Sequence, residues 1–120
     1  MGNILIVDDS STMRKIISRS LRQAGLQVDD IYEAGDGIEA LSVMEGKTIH
    51  LILSDINMPN MDGMEFIKCV RAKGVATPIV MITTEGGEDI LKEALASGAS
   101  DSIKKPFTPD QLSEKLGGLL

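Results

Sequence analysis

The sequence predicts an α/β domain in which a parallel sheet is covered by helices on both faces. Three observations predict it. Short unbroken apolar runs, Ile4-Leu5-Ile6-Val7, Leu51-Ile52-Leu53 and Ile79-Val80-Met81-Ile82, have the pattern of strands buried on both sides. Segments with apolar residues at helical spacing lie between such runs. The two kinds alternate along a chain of 120 residues, a length that suits one domain, residues 1–120.

The elements follow in order. Asn3 to Val7 is the first strand, cut off by Asp8-Asp9. Met13, Ile16, Ile17, Ser20, Leu21 and Ala24 then recur at helical spacing, with Arg14, Lys15, Arg19 and Arg22 on the opposite side. Ser10 or Ser11 can cap this helix and Gly25 can end it. Asp30 to Ala34 is a weak strand, followed by a helix carrying Ile38, Leu41 and Met44. The third strand runs into Ser54-Asp55, and a loop rich in Asn, Pro, Asp and Gly leads to a helix with Phe66, Ile67 and Val70. The fourth strand ends at Thr83-Thr84, before a helix marked by Ile90, Leu91, Ala94 and Leu95. Ser100 to Ile103 is a short fifth strand. Leu112, Leu116, Leu119 and Leu120 form the stripe of a last helix whose end Gly117-Gly118 should weaken. Five βα units with right-handed crossovers give a doubly wound, flavodoxin-like (βα)5 sheet of strand order 2-1-3-4-5.

Hydrophobic residues make up 42% of the chain, and aromatics only 2%, so the core is built from Ile, Leu, Val and Met. The net charge of −6 disfavours nucleic acid and anionic membrane surfaces as main partners. Cys69 is the one cysteine, which excludes an intrachain disulfide and suits a cytoplasmic location. No apolar run approaches the ~18 residues of a membrane span, and the N-terminus lacks the pattern of a signal peptide.

In open sheets of this kind, working residues collect at the carboxyl ends of the strands. Strand 1 ends in Asp8-Asp9 and its neighbour, strand 3, ends in Asp55. Three converging carboxylates repel one another unless a cation neutralises them, and an all-oxygen donor set suits Mg²⁺. Strand 4 supplies the Thr83 hydroxyl, and strand 5 leads into Lys104-Lys105-Pro106-Phe107 with its ammonium groups. Metal, hydroxyl and ammonium are the groups that stabilise a transferring phosphoryl group.

On these residues the chain resembles the receiver domains of two-component response regulators, and in particular stand-alone CheY-like chemotaxis regulators. The matching features are Ile6-Val7-Asp8-Asp9, Asp55-Ile56-Asn57-Met58-Pro59 with Asp62-Gly63, Thr83, and Lys105-Pro106-Phe107; Ser11-Thr12-Met13-Arg14 is similar to the chemotaxis branch. The resemblance implies that Asp55 accepts a phosphoryl group. It implies that Asp9, Asp55 and the Asn57 backbone carbonyl bind Mg²⁺ directly, with Asp8 acting through water. Lys105 would pair with the phosphoryl group, Thr83 would move to meet it, and Lys105-Pro106 would be a cis peptide. The implied partners are a histidine kinase or histidine phosphotransfer protein and a flagellar-switch or other protein target, with the chain working as a monomer. One departure stands out. Chemotaxis-type receivers usually carry Tyr or Phe three positions before the lysine, where this chain has Ser102, and Thr84 stands where a smaller residue is common.

Other signals carry less. Gly35-Asp36-Gly37-Ile38-Glu39-Ala40 fits a dinucleotide fingerprint but follows the second strand rather than the first. Pro59 stands where an EF-hand needs a ligand. His50 is expected at the surface ahead of the third strand, and the basic side of the first helix is expected to help dock an acidic helical partner. The chain is expected not to be a turnover enzyme. An aspartyl-phosphate phosphatase of the haloacid-dehalogenase type would want an acid at position 57, which is Asn. A phosphorelay intermediate or a phosphate sink is the alternative within the same chemistry.

Overall fold

A computed structural model describes residues 2–83 and 88–119. Five parallel strands, β1 (Ile4–Val7), β2 (Ile31–Ala34), β3 (Leu51–Asp55), β4 (Ile79–Thr83) and β5 (Asp101–Lys104), form one sheet in the order β2-β1-β3-β4-β5. They alternate with α1 (Ser11–Gln23), α2 (Gly37–Met44), α3 (Gly63–Ala72), α4 (Glu88–Ser97) and α5 (Pro109–Leu116). The flavodoxin-like order expected from the alternation is the order found.

The unbroken apolar strands explain the two layers of helix. Successive side chains point to opposite faces, so a strand with helices on both sides is apolar at every position. Leu5, Val7, Ile52, Ile79 and Met81 pack on one face with Phe66, Ile67 and Val70 of α3 and Ala94 of α4. Ile4, Ile6, Leu51, Leu53, Val80 and Ile82 pack on the other, with Ile17 and Leu21 of α1 and Leu112 and Leu116 of α5. Phe66 is the one aromatic among the largest fully buried side chains, so the core is aliphatic, as composition requires.

Helix starts are set by local side-chain chemistry. Ser10, Asp36 and Asp62 cap α1, α2 and α3 by accepting from the backbone N–H groups of Met13, Glu39 and Glu65. Thr108 and Gln111 form a capping box at α5. Gly25 follows α1 at φ +75°, a conformation that glycine adopts without strain.

The boundaries differ from expectation at four places. β2 begins at Ile31 rather than Asp30. β1 begins at Ile4, because Asn3 turns its carbonyl to the N–H of His50 and its amide to the carbonyl of Thr48. β5 is displaced by one residue, because Ser100 spends its hydroxyl as well as its N–H on Ile79 while Lys104 pairs with Thr83. α5 ends at Leu116 ahead of the two glycines, yet Leu119 still packs against the α1 and α5 layer. Thr84 and Leu120 lie outside the described residues. No described helix is long and apolar enough to cross a membrane.

Candidate functional site

The sheet register brings the strand ends together. Val7 pairs with Ser54, Asp55 with Ile82 and Thr83 with Lys104, so Asp8, Asp55, Thr83 and Lys105 emerge along one edge. One carboxylate oxygen from each of Asp8, Asp9 and Asp55 lies within 4.8 Å of the others. Asp8 is only 2% exposed, whereas Asp9 faces solvent. The Lys105 ammonium sits among them, 3.2 Å from Asp8 Oδ2 and 3.7 Å from Asp55 Oδ2. It offsets part of the repulsion that would otherwise oppose folding.

Asp8 and Asp55 are each held by a backbone N–H. Asp8 Oδ1 accepts from the N–H of Ser10 at 2.9 Å, and Asp55 Oδ1 accepts from the N–H of Ile56 at 2.7 Å. Burial pushes the Asp55 carboxyl above the ordinary value of 3.8; Lys105 and the Ile56 N–H oppose the shift, and the charges of Asp8 and Asp9 add to it. A group that resists ionisation beside two other acids gains from a bound cation. Gly63 opens α3 against the back of the site. A Cβ there would stand 2.3 Å from the Asp55 carbonyl oxygen and 2.7 Å from Met81 Cε, so only glycine allows the approach.

Thr83 is buried at the end of β4, and its carbonyl accepts from the N–H of Lys105 at 2.7 Å. That bond fixes the start of the Lys105-Pro106 segment, whose peptide is cis, as expected. Asn57 is exposed two residues beyond Asp55. Ser102 pairs with Met81 in the sheet and lines a cavity of about 690 Å³ whose other walls include Ile56, Met81, Thr83, Ile90 and Ala94. Among the described residues, position 102 thus contributes only a small side chain to the wall of a cavity that Thr83 also lines.

Two features escape sequence reasoning. Arg14 was expected on the solvated basic side of α1 with Lys15, Arg19 and Arg22. It folds back instead: Nη1 donates to the Asp8 carbonyl and Nε to Glu33 Oε1 at 2.9 Å, leaving its side chain 19% exposed. Lys15, Arg19 and Arg22 alone make the exposed basic face. The second feature is the link between the loops after β2 and β3, where Asn60 Nδ2 donates to Asp36 Oδ2 at 2.9 Å. Its only sequence signal is the glycine run around Asp36, the run that imitates a dinucleotide motif. His50 is half-buried, its Nδ1 accepting from the N–H of Asn3.

Comparison with known proteins points the same way. The response regulator receiver domain family matches residues 4–117. A chemotaxis protein CheY homolog of Campylobacter jejuni subsp. jejuni (strain 81-176) is 45% identical over 120 residues, covering 98% of this chain and 91% of that protein. Chemotaxis protein CheY1 of Helicobacter pylori (strain J99) is 44% identical over 116 residues, covering 94% and 92%. The solved structure of Vibrio cholerae chemotaxis protein CheY4 superposes with a TM-score of 0.88 at 39% identity, covering 100% of this chain and 99% of that one.

Proposed function

The chain belongs to the response regulator receiver domain family, and from that premise we propose that it is a phosphoryl-accepting switch of a chemotaxis pathway, loaded on Asp55 by a histidine kinase or histidine phosphotransfer protein. The observation that carries this reading is the meeting of three carboxylates within 4.8 Å with the Lys105 ammonium 3.2 and 3.7 Å from two of them.

The donor set fits Mg²⁺. It is all oxygen, and it combines a buried acid with an exposed one. Asp9, Asp55 and the Asn57 carbonyl would hold the ion, with Asp8 acting through water. When bound, Mg²⁺ neutralises charge on the transferring phosphoryl oxygens.

The chain's own residues supply the rest. The Asp55 carboxylate forms the new O–P bond as the donor's bond to phosphorus breaks, and the donor departs with the bonding pair. Ile56 N–H holds the carboxylate in place. Lys105 exchanges its partner, from Asp8 to the arriving phosphoryl oxygen. Thr83 offers its hydroxyl from the neighbouring strand end. Asn57 stands where a phosphatase would carry a second acid, so the product is an aspartyl phosphate that signals rather than an intermediate of turnover. The phosphorylated form then changes the face made by α4, β5 and α5 toward its protein target.

Acetyl phosphate with Mg²⁺ should add one phosphoryl group to the wild-type chain by intact mass, and Asp55→Asn should take none. Equal uptake by that variant would move the acceptor elsewhere. Sustained turnover of a simple phosphomonoester would favour an enzyme instead. The hollow beside Ser102 favours one second reading, a phosphorelay intermediate or phosphate sink, in which the output face has lost its coupling.

A further inference from the structure

β2 and β3 flank β1 in the sheet, so the loops that follow them meet over the end of β1, where Asp8 and Asp9 lie. Three observations join those loops. Asn60 Nδ2 donates to Asp36 Oδ2 at 2.9 Å. The Gly37 N–H donates to the Met61 carbonyl at 3.2 Å. A Cβ on Gly37 would stand 2.7 Å from Met61 Cγ, so the loops approach as closely as glycine permits. Asp36 is itself fixed, because its other oxygen caps α2 by accepting from Glu39 N–H at 2.8 Å. Those two hydrogen bonds hold its carboxyl below the usual carboxylate range. Asn60 sits at φ +65°, a conformation that Asn tolerates better than most residues and one that aims this turn at α2.

The loop after β3 carries Asn57. Its near end is tied by Ile56, whose N–H binds Asp55 Oδ1 and whose carbonyl accepts from Gly63 at 2.7 Å. Its far end is tied by Asn60 and Met61 to α2. Asn57 therefore spans two anchors, one on the phosphoryl acceptor and one on another helix. We propose that Asp36 and Asn60 are positioning residues that hold the Asn57 carbonyl toward Asp9 and Asp55, and so set the affinity for Mg²⁺. This rests on the metal-assisted reading above. Neither residue belongs to the carboxylate cluster that would hold the ion. Both act as outer partners, which commonly govern metal affinity through orientation.

Asn60→Gly removes the amide while keeping the φ +65° turn free of strain. Mg²⁺ titration by calorimetry should show affinity weaker by about tenfold, with the metal-free melting temperature nearly unchanged. Asp36→Asn keeps the α2 cap and opposes two amides, and should weaken Mg²⁺ binding similarly. The exchanged pair Asp36→Asn with Asn60→Asp restores one donor and one acceptor at the same total charge, and should recover most of the lost affinity. Wild-type affinity in Asn60→Gly overturns the inference. So does a loss of metal-free stability that the exchanged pair leaves unrescued, because that marks a structural role alone. A wild-type chain that binds no Mg²⁺ overturns the metal-assisted reading itself, and separates that failure from failure of the clasp.

Discussion

The two ends of the Thr83 neighbourhood contrast sharply in how they are filled. On the side of β1 and β3 the chain is crowded: three acids and a lysine share a few ångströms, Asp8 is buried, and Gly63 is the largest residue that fits behind Asp55. On the side of α4, β5 and α5 the chain leaves a cavity of about 690 Å³ beside Ser102. Phosphoryl chemistry needs groups held close, and the fold supplies them. Transmission to a surface needs bulk that can move between two places, and here the bulk is missing. On the reading proposed above, the molecule keeps the receiving half of a switch intact while the relaying half is open to being filled.

Five experiments can break or sharpen that contrast. The largest effect is expected at the crowded side. Mg²⁺ should raise the melting temperature of the wild-type chain by mass action and leave that of Asp9→Ala almost unmoved. An equal rise in both would remove Asp9 from the metal site. Next, Gly63→Ala should cost about 2–3 kcal/mol in denaturant unfolding, as overpacking does, although alanine is the better helix former. No loss would mean that the backbone behind Asp55 has room to yield.

The hollow side should respond in the opposite direction. Ser102→Tyr should stabilise the fold by about 1–2 kcal/mol, part of the gain of fully burying a large side chain. Destabilisation would show that the cavity does not persist in solution. The same variant tests transmission. In the wild type, beryllofluoride should change affinity for a flagellar-switch peptide by less than about tenfold, or ~1.4 kcal/mol. Ser102→Tyr should widen that ratio. A wild-type ratio well above tenfold would show that no ring is needed.

The smallest effect is the pH dependence of Asp55. Its folded pKa is raised, so the folded chain binds more protons than the unfolded chain between 3.8 and that higher value. Stability from this group is lost as pH rises through that window and is restored on acidification. Metal-free Asp55→Asn should therefore melt a few degrees above wild type at neutral pH. The advantage should shrink as pH falls toward 3.8. A constant difference across that range would assign the effect to something other than ionisation.

Legibility follows the same division. β1, β3 and β4 are central strands and announce themselves as unbroken apolar runs. β2 and β5 are edge strands: β5 buries only Ile103 and β2 only Ala34, so their signals are faint and the β5 boundaries slip. Asp8, Asp9, Asp55, Thr83 and Lys105 were legible because a parallel sheet gathers strand ends at one edge. Arg14 and Asn60 were not, since each acts on a partner 19 or 24 positions away through side-chain reach that no periodicity encodes. Position 102 was legible as a missing ring, but the volume left behind depends on α4 and α5, whose placement only the fold reveals.

The parallel winding has a further consequence for traffic toward the site. Every helix follows a strand, so α1, α2, α3 and α5 begin on the edge where the acids lie, with caps at Ser10, Asp36, Asp62 and Thr108. A helix start carries about half a positive charge in its unpaired N–H groups. The chain as a whole repels anions with its −6. On the proposed reading, an incoming phosphate donor therefore meets positive helix ends around a negative centre, an arrangement that would draw it in at short range only, after a partner surface has brought it close.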